Sequence, residues 1–470
     1  MSDLDDSTLR ALAIPPDILD VDEDEMRRLG YWVVDRVIEH ITTLGGQRAI
    51  SEADHATLQR ELGGPVPRGL SAIEEHLATL ADVAGTNQQH GDHPRYFARV
   101  PGPSSYPAIL GEWLATGMQS IAASWSGGSG PSALELIVCD WLKVPLGLPT
   151  SCEGVLLSGG SMANITGIIT ARQMSGDGVV YLTDQTHASI HRGLPAIGQP
   201  VDGIRVLDSD EAYRLSPDAL GAAIDADLAG GRRPMMVIAT VGTTNTGAVD
   251  DLPAIADLCS RHGLWLHVDG ANGGPAALCE RGRHVMPGLE RADSFVIDPH
   301  KWLFQPYDIA CLFVTASGAL EHTFAIHPEY LADVTGPAVD LRNRSLELTR
   351  RGRAFKLWLT IRAYGLDTLA QAVHRGIALA EYAQHVIEEH EHLEIVTPAQ
   401  LGIVTFAGRQ ANDADHYRAV AQLTGDGYGA ASSTALNGRR ALRMCTINPR
   451  TTTQDIDGTI GRLADYLTIP

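Results

Sequence analysis

The chain has 470 residues, 44% of them hydrophobic and 20% charged, which is enough apolar material for about two or three domains with a large core. Its 36 basic and 57 acidic residues leave a net charge of −21, which argues against nucleic acid and anionic membranes as partners. No apolar run reaches the roughly 18 residues of a membrane span, the acidic N-terminus has no secretory apolar region, and a cytoplasmic protein is expected.

Residues 1–22 are acidic and contain proline, and are read as a mobile start. Over 23–44, Leu29, Val33, Val37 and Ile41 recur every four residues and predict an amphipathic helix. That apolar stripe needs a partner, such as a second subunit. "GGPVPRG", 63–69, reads as a turn, and "EEHLATLADVAG" as a helix. From about residue 150, short apolar runs alternate with helical ones. The predicted strands are Gly154–Leu157, Val179–Leu182, Met235–Val241, Trp265–Val268, Phe295–Ile297 and Ala310–Val314. This alternation predicts an α/β fold with a mainly parallel sheet covered on both faces, whose ligands sit at the carboxyl ends of the strands. Residues 317–344 lack periodicity and predict a long loop acting as a lid. A long helix is expected from "SLELTRRGRAFKLWLTIRAYG". Strand-like runs at "LEIVT", "LGIVTFA" and "ALRMCTI" then predict a small C-terminal α+β domain. The expected division is an N-terminal helical dimerisation segment at 1–90, a large domain at 91–358 and the small domain at 359–470. Six cysteines, none in a C-x-x-C pair, read as small buried hydrophobes, and no metal site is expected.

Four strand ends carry unusual chemistry. "LLSGGSMANITGI" runs from a strand through glycines into a helix, a backbone that can cradle a phosphate at Gly160 and Ser161. It is not a Walker-type loop, and alone it is no more than a capped turn. His187, in "YLTDQTHASIHRG", follows the next strand and can stack on a planar ligand. Asp269 closes the apolar run "LWLHVD", where a carboxylate must be paired. Lys301, in "SFVIDPHKW", ends another, where desolvation is expected to lower the pKa of its amine and suit it to Schiff-base chemistry. Each signal alone has an ordinary structural explanation. Together, in that order, they supply what pyridoxal 5′-phosphate (PLP) demands: a phosphate cradle, a ring-stacking imidazole, a carboxylate for the ring nitrogen and an amine for the aldehyde.

These residues resemble the group II PLP-dependent amino-acid decarboxylases, which include aromatic-L-amino-acid, histidine and glutamate decarboxylases. "DPHKW", "LHVDGANGG", "ATVGTTNTGAVDD", "HPRYFARVPGPSSYPA", "RRGRAFKLWLTIRAYG" and "INPRTT" are similar to family motifs and fall in family order from about residue 23 to the end. The resemblance implies fold type I, the aminotransferase-like scaffold, and a homodimer with its active site at the subunit interface. It implies that Lys301 is the Schiff-base lysine, His187 the stacking histidine, Asp269 the partner of the pyridinium nitrogen and Ala271 the packing residue on the opposite ring face. It puts Thr244 in the cofactor network, and Gly160, Ser161, Asp298 and His300 around the phosphate. Tyr330, in "IHPEYLADV", matches the mobile tyrosine that protonates carbon after CO2 leaves, which favours decarboxylation over oxidative aldehyde formation. Arg99 stands where aromatic-substrate members carry an aromatic residue; it can pair with a substrate carboxylate or line the entrance. Gly270 and Asn272 also depart from common versions of their motif. The implied reaction is α-decarboxylation of an L-amino acid, aromatic or otherwise bulky, to the amine and CO2. An aldehyde synthase, transaminase or aldolase on the same scaffold is the alternative, and a non-catalytic homologue is disfavoured by the complete residue set.

Overall fold

Runs rich in valine, isoleucine and leucine between residues 153 and 314 form a seven-stranded sheet in the computed structural model, which describes residues 4–326 and 338–468. The strands are β1 (Glu153–Leu157), β2 (Val179–Thr183), β3 (Ile204–Leu207), β4 (Pro234–Thr240), β5 (Trp265–Asp269), β6 (Ser294–Ile297) and β7 (Ala310–Val314). Their order is β1-β7-β6-β5-β4-β2-β3. β3, β2, β4, β5 and β6 run parallel, and β7 is antiparallel to both β6 and β1. Along β4, Val237 and Ala239 enter one core while Met236 and Ile238 enter the other. Both faces are therefore covered, which is why these strands read as continuous apolar runs instead of alternating ones.

A second sheet joins β8 (Leu393–Gln400), β9 (Ile403–Gly408), β10 (Ser432–Leu436) and β11 (Arg439–Cys445) in the antiparallel order β10-β11-β9-β8. The helices Asp413–Asp426 and Thr453–Thr468 cover it, and the long helix Ala354–Glu389 packs on β8 and β9. The α/β class, the mainly parallel sheet and the small C-terminal α+β part are as expected. Residues 1–89 form one compact unit and 90–470 a second, which holds both sheets. In the first, the predicted helix is found at Glu23–Thr43, with Asp22 capping it by accepting from the Glu25 amide.

Three local readings are corrected. Residues 6–12, expected to lack structure, form a helix capped by Asp5. Within the expected loop 317–344, Ala319–Phe324 is helical, because Ala319 and Leu320 bury against the helix Gly160–Ser175. The helix expected from 345 starts only at Ala354. Its predicted first turns are drawn out of helical geometry by pairing elsewhere: the Ala122 amide donates to Arg350 O at 2.8 Å and the Gly352 amide to Ser120 O at 2.8 Å.

Candidate active site

The carboxyl ends of β1, β2, β4, β5 and β6 open on a cavity of about 580 Å³. Gly160, Ser161, His187, Thr244, Asp269, Ala271, Asp298, His300 and Lys301 all line it. Tyr330 lies outside the described residues.

Each side chain is delivered by a local device. After β1 the chain enters the helix Gly160–Ser175, whose N-cap Gly159 offers no side-chain cap, so the first-turn amides are left for another acceptor. A Cβ on Gly160 would stand 2.9 Å from Asp298 Oδ2 and 3.0 Å from Ala271 Cβ, so the close approach of this turn requires glycine. After β4, Gly242 has a φ of 80°, and a Cβ there would meet Gly273 Cα at 2.8 Å; this tight turn carries Thr244 to the cavity. Asp269 closes β5 in register with Thr240, and its Oδ1 accepts from the Ala271 amide at 3.1 Å. β6 leads into the single helical turn Pro299–Trp302, which sets Lys301 Nζ 2.8 Å from Asp298 Oδ2. His300 faces the same carboxylate with Nε2 at 3.5 Å, while its Nδ1–H donates to Ile309 O at 2.7 Å. His187 caps the helix Ala188–Ala196: its Nδ1 accepts from the Ser189 amide, which places the proton of the neutral ring on Nε2.

Burial and charge oppose one another here. Burial pushes the Asp269 carboxyl above its ordinary range, against the Ala271 amide and the Lys301 charge. Lys301 departs from the lowered pKa expected of a desolvated amine. Burial does work to lower it, but Asp298 and Asp269 outweigh that effect and hold it above the ordinary value. Its side chain is 22% exposed, so this is a charged amine reachable from the cavity. The cavity walls displace water around His187 and lower its pKa, with Asp269 opposing and Lys301 reinforcing. The ring is nonetheless accessible at the mouth, where a planar ligand can cover it.

Several further residues line the cavity that the sequence alone did not single out: Asn164, Thr240, Ser432, Ser433 and Arg443. Arg443, a charge inside the apolar run "ALRMCTI", was the most visible of them. It is buried on β11, and Nη1 donates to the carbonyl of Arg99. Arg99 itself lines the cavity in a left-handed conformation, φ 49°, with its amide donating to Ser432 Oγ at 3.0 Å.

Residues 71–409 match the pyridoxal-dependent decarboxylase conserved domain. The chain belongs to the pyridoxal-dependent decarboxylase family. An aromatic-L-amino-acid decarboxylase of Bacillus atrophaeus is 40% identical over 93% of this chain and 94% of its own. A phenylacetaldehyde synthase of Arabidopsis thaliana is 30% identical over 92% of this chain and 93% of its own. The crystal structure of Oryza sativa TDC with PLP and tryptamine superposes with a TM-score of 0.91 at 27% identity, covering 97% of this chain and 99% of that one. The architecture is thus the one implied by the resemblance, and the protein is a PLP-dependent carboxy-lyase acting on an amino acid.

The residues of this decarboxylase fit PLP. Asp269 is buried with one backbone donor and, among the described residues, makes no ion pair within 4 Å, so a protonated ring nitrogen would supply a directly paired cation. Uncapped helix amides and a glycine turn suit the phosphate, and Lys301 supplies an accessible amine.

Proposed function

We propose that this decarboxylase acts on an aromatic L-amino acid, releasing CO2 and the corresponding amine, with Lys301, His187, Asp269 and Tyr330 as its catalytic residues. The convergence of Lys301, Asp269 and His187 on one cavity with a helix N-terminus carries the reading of the residues; the aromatic substrate rests on the relatives named above. Lys301 would hold the cofactor through its amine, with Gly160, Ser161, Asp298 and His300 around the phosphate, His187 and Ala271 holding the ring, and Thr244 supporting the cofactor network. When bound, PLP supplies an electron-withdrawing ring that takes up the electron pair left as CO2 departs. Asp269 keeps the ring nitrogen protonated, because a carboxylate in a low-dielectric wall strongly favours a cationic neighbour. Asp298, 2.8 Å from the Lys301 amine, would hold that amine in place beside the cofactor. Tyr330, outside the described residues, would return a proton to carbon.

The working protein is proposed to be a cytoplasmic homodimer, with the segment 1–90 contributing to dimerisation. Leu110, Leu114 and Met118 stand 40%, 49% and 67% exposed at four-residue spacing on and just beyond the helix Tyr106–Gly117, an apolar stripe suited to burial against a second copy.

The test is a CO2-release screen over the L-amino acids with added PLP, with product analysis. Tryptophan, tyrosine, phenylalanine and DOPA should give the highest turnover, with amine as the product. Release of ammonia and peroxide with aldehyde instead would assign the chain to aldehyde synthesis. Lys301→Ala should lower turnover by roughly 10²–10⁴-fold and end borohydride-dependent incorporation of the cofactor into the chain; retained incorporation would remove Lys301 from its role.

A further inference from the structure

Asn164 stands one turn into the helix Gly160–Ser175, almost wholly buried, and lines the cavity together with Asp269 and Lys301. Its Oδ1 lies 3.0 Å from Nε2 of His267, which sits two residues before Asp269 on the same face of β5. Nδ1 of that histidine lies 2.7 Å from Ser294 Oγ on β6, and Trp265 Nε1 donates to the same oxygen at 2.8 Å. An indole N–H can only donate. The Asn164 oxygen at Nε2 can only accept, so the ring hydrogen lies on Nε2 and Nδ1 accepts from the Ser294 hydroxyl, whose oxygen accepts in turn from Trp265. The imidazole is left neutral with its hydrogen on Nε2, donated to Asn164 Oδ1. Complete burial agrees, pushing the His267 pKa down to about 3. The helix makes room for the ring at Gly167, where a Cβ would stand 2.8 Å from His267 Cε1 and 3.0 Å from Nδ1.

In this chain of hydrogen bonds the amide stands with its oxygen toward His267 and its nitrogen toward the cavity. Among the described residues no protein acceptor takes the amide N–H groups. Donors held in a protein wall are costly unless they find an acceptor. We propose that Asn164 is a further cofactor-binding residue, donating from its amide nitrogen to the PLP held in this cavity, with His267, Ser294 and Trp265 as the positioning residues that aim it. The inference rests on the reading of this cavity as the PLP site.

The test is titration of the apo-protein with PLP, followed by tryptophan fluorescence, with thermal melts of each apo-protein alongside. Asn164→Asp is nearly isosteric but replaces the N–H donors with an acceptor; it should bind PLP roughly tenfold or more weakly. Asn164→Ala should weaken binding by a similar factor. His267→Leu should weaken it several-fold, and the double variant Asn164→Ala/His267→Leu should be no weaker than Asn164→Ala, because aiming matters only while the amide is present. PLP affinities of Asn164→Asp and Asn164→Ala within about twofold of wild type would overturn the proposal, whatever their melting temperatures, and would reduce the chain to a tie between helix and sheet. Failure of the wild-type protein to bind PLP would overturn the reading of the site itself, a result visible before any variant is made.

Discussion

At the scale of single residues, chemistry was legible where polarity broke an apolar run at its end. Asp269 and Lys301 stood out because a charge closing a buried strand has few structural uses, and both line the cavity. The charge state of Lys301 was not legible. Its amine is held by Asp298, three residues earlier, and by Asp269 from another strand, and only the fold sets those carboxylates against the loss of solvent. His267 was hidden by its strand, where it read as one polar residue in "LWLHVD". Its burial has a measurable consequence. The neutral folded-state ring has a pKa of about 3, whereas an unfolded histidine titrates near 6.5. The unfolded chain therefore takes up the proton first as pH falls. The stability this residue contributes is complete above about pH 6.5 and is lost on acidification by up to about 1.4 kcal/mol per pH unit. In urea unfolding followed between about pH 6.5 and about pH 4.5, His267→Leu should show a shallower loss of stability than wild type. Parallel slopes would mean that the ring is protonated in the folded state.

At the scale of elements, strands buried on both faces were the clearest signal and edge strands the weakest. β3 and β10 were missed. Neither is a continuous apolar run, and β3 is only partly buried while β10 buries little beyond Leu436. Pairing with β2 and β11 makes them strands, not their own pattern. The late start of the Ala354–Glu389 helix has the same origin. Arg350 is drawn into a buried ion pair with Glu135 at 2.6 Å, and its Nη1 donates to Ala122 O at 2.8 Å. That helix packs against Tyr106–Gly117 at a contact only glycine permits: a Cβ on Gly111 would stand 2.7 Å from Lys356 Cα and 2.9 Å from Lys356 N. Gly111→Ala gains about 1 kcal/mol of helix propensity, yet backbone atoms cannot turn aside as a side chain can. A net loss of about 1–3 kcal/mol in urea unfolding is expected; an unchanged or raised midpoint would show that the two helices can separate without cost.

At the scale of the whole molecule, the exposed stripe Leu110, Leu114 and Met118 has a consequence for mass. Light scattering on the native protein should give twice the 50.3 kDa of the chain. Leu114→Glu, which puts a charge in the stripe, should shift the mass toward 50.3 kDa; a dimer that survives this substitution and Leu110→Glu together would locate the interface elsewhere. The sequence by itself determined the doubly covered parallel sheet, the PLP chemistry and the residues at the strand ends, because each leaves a local trace: an apolar run, a glycine turn, a charge where a buried run stops. The tertiary structure alone decided which carboxylates hold the Lys301 amine charged, where the long helix begins, and that Asn164 and Arg443 face the same cavity as Lys301. Those outcomes depend on groups from distant parts of the chain meeting in a low-dielectric space, and no spacing along the sequence encodes such a meeting.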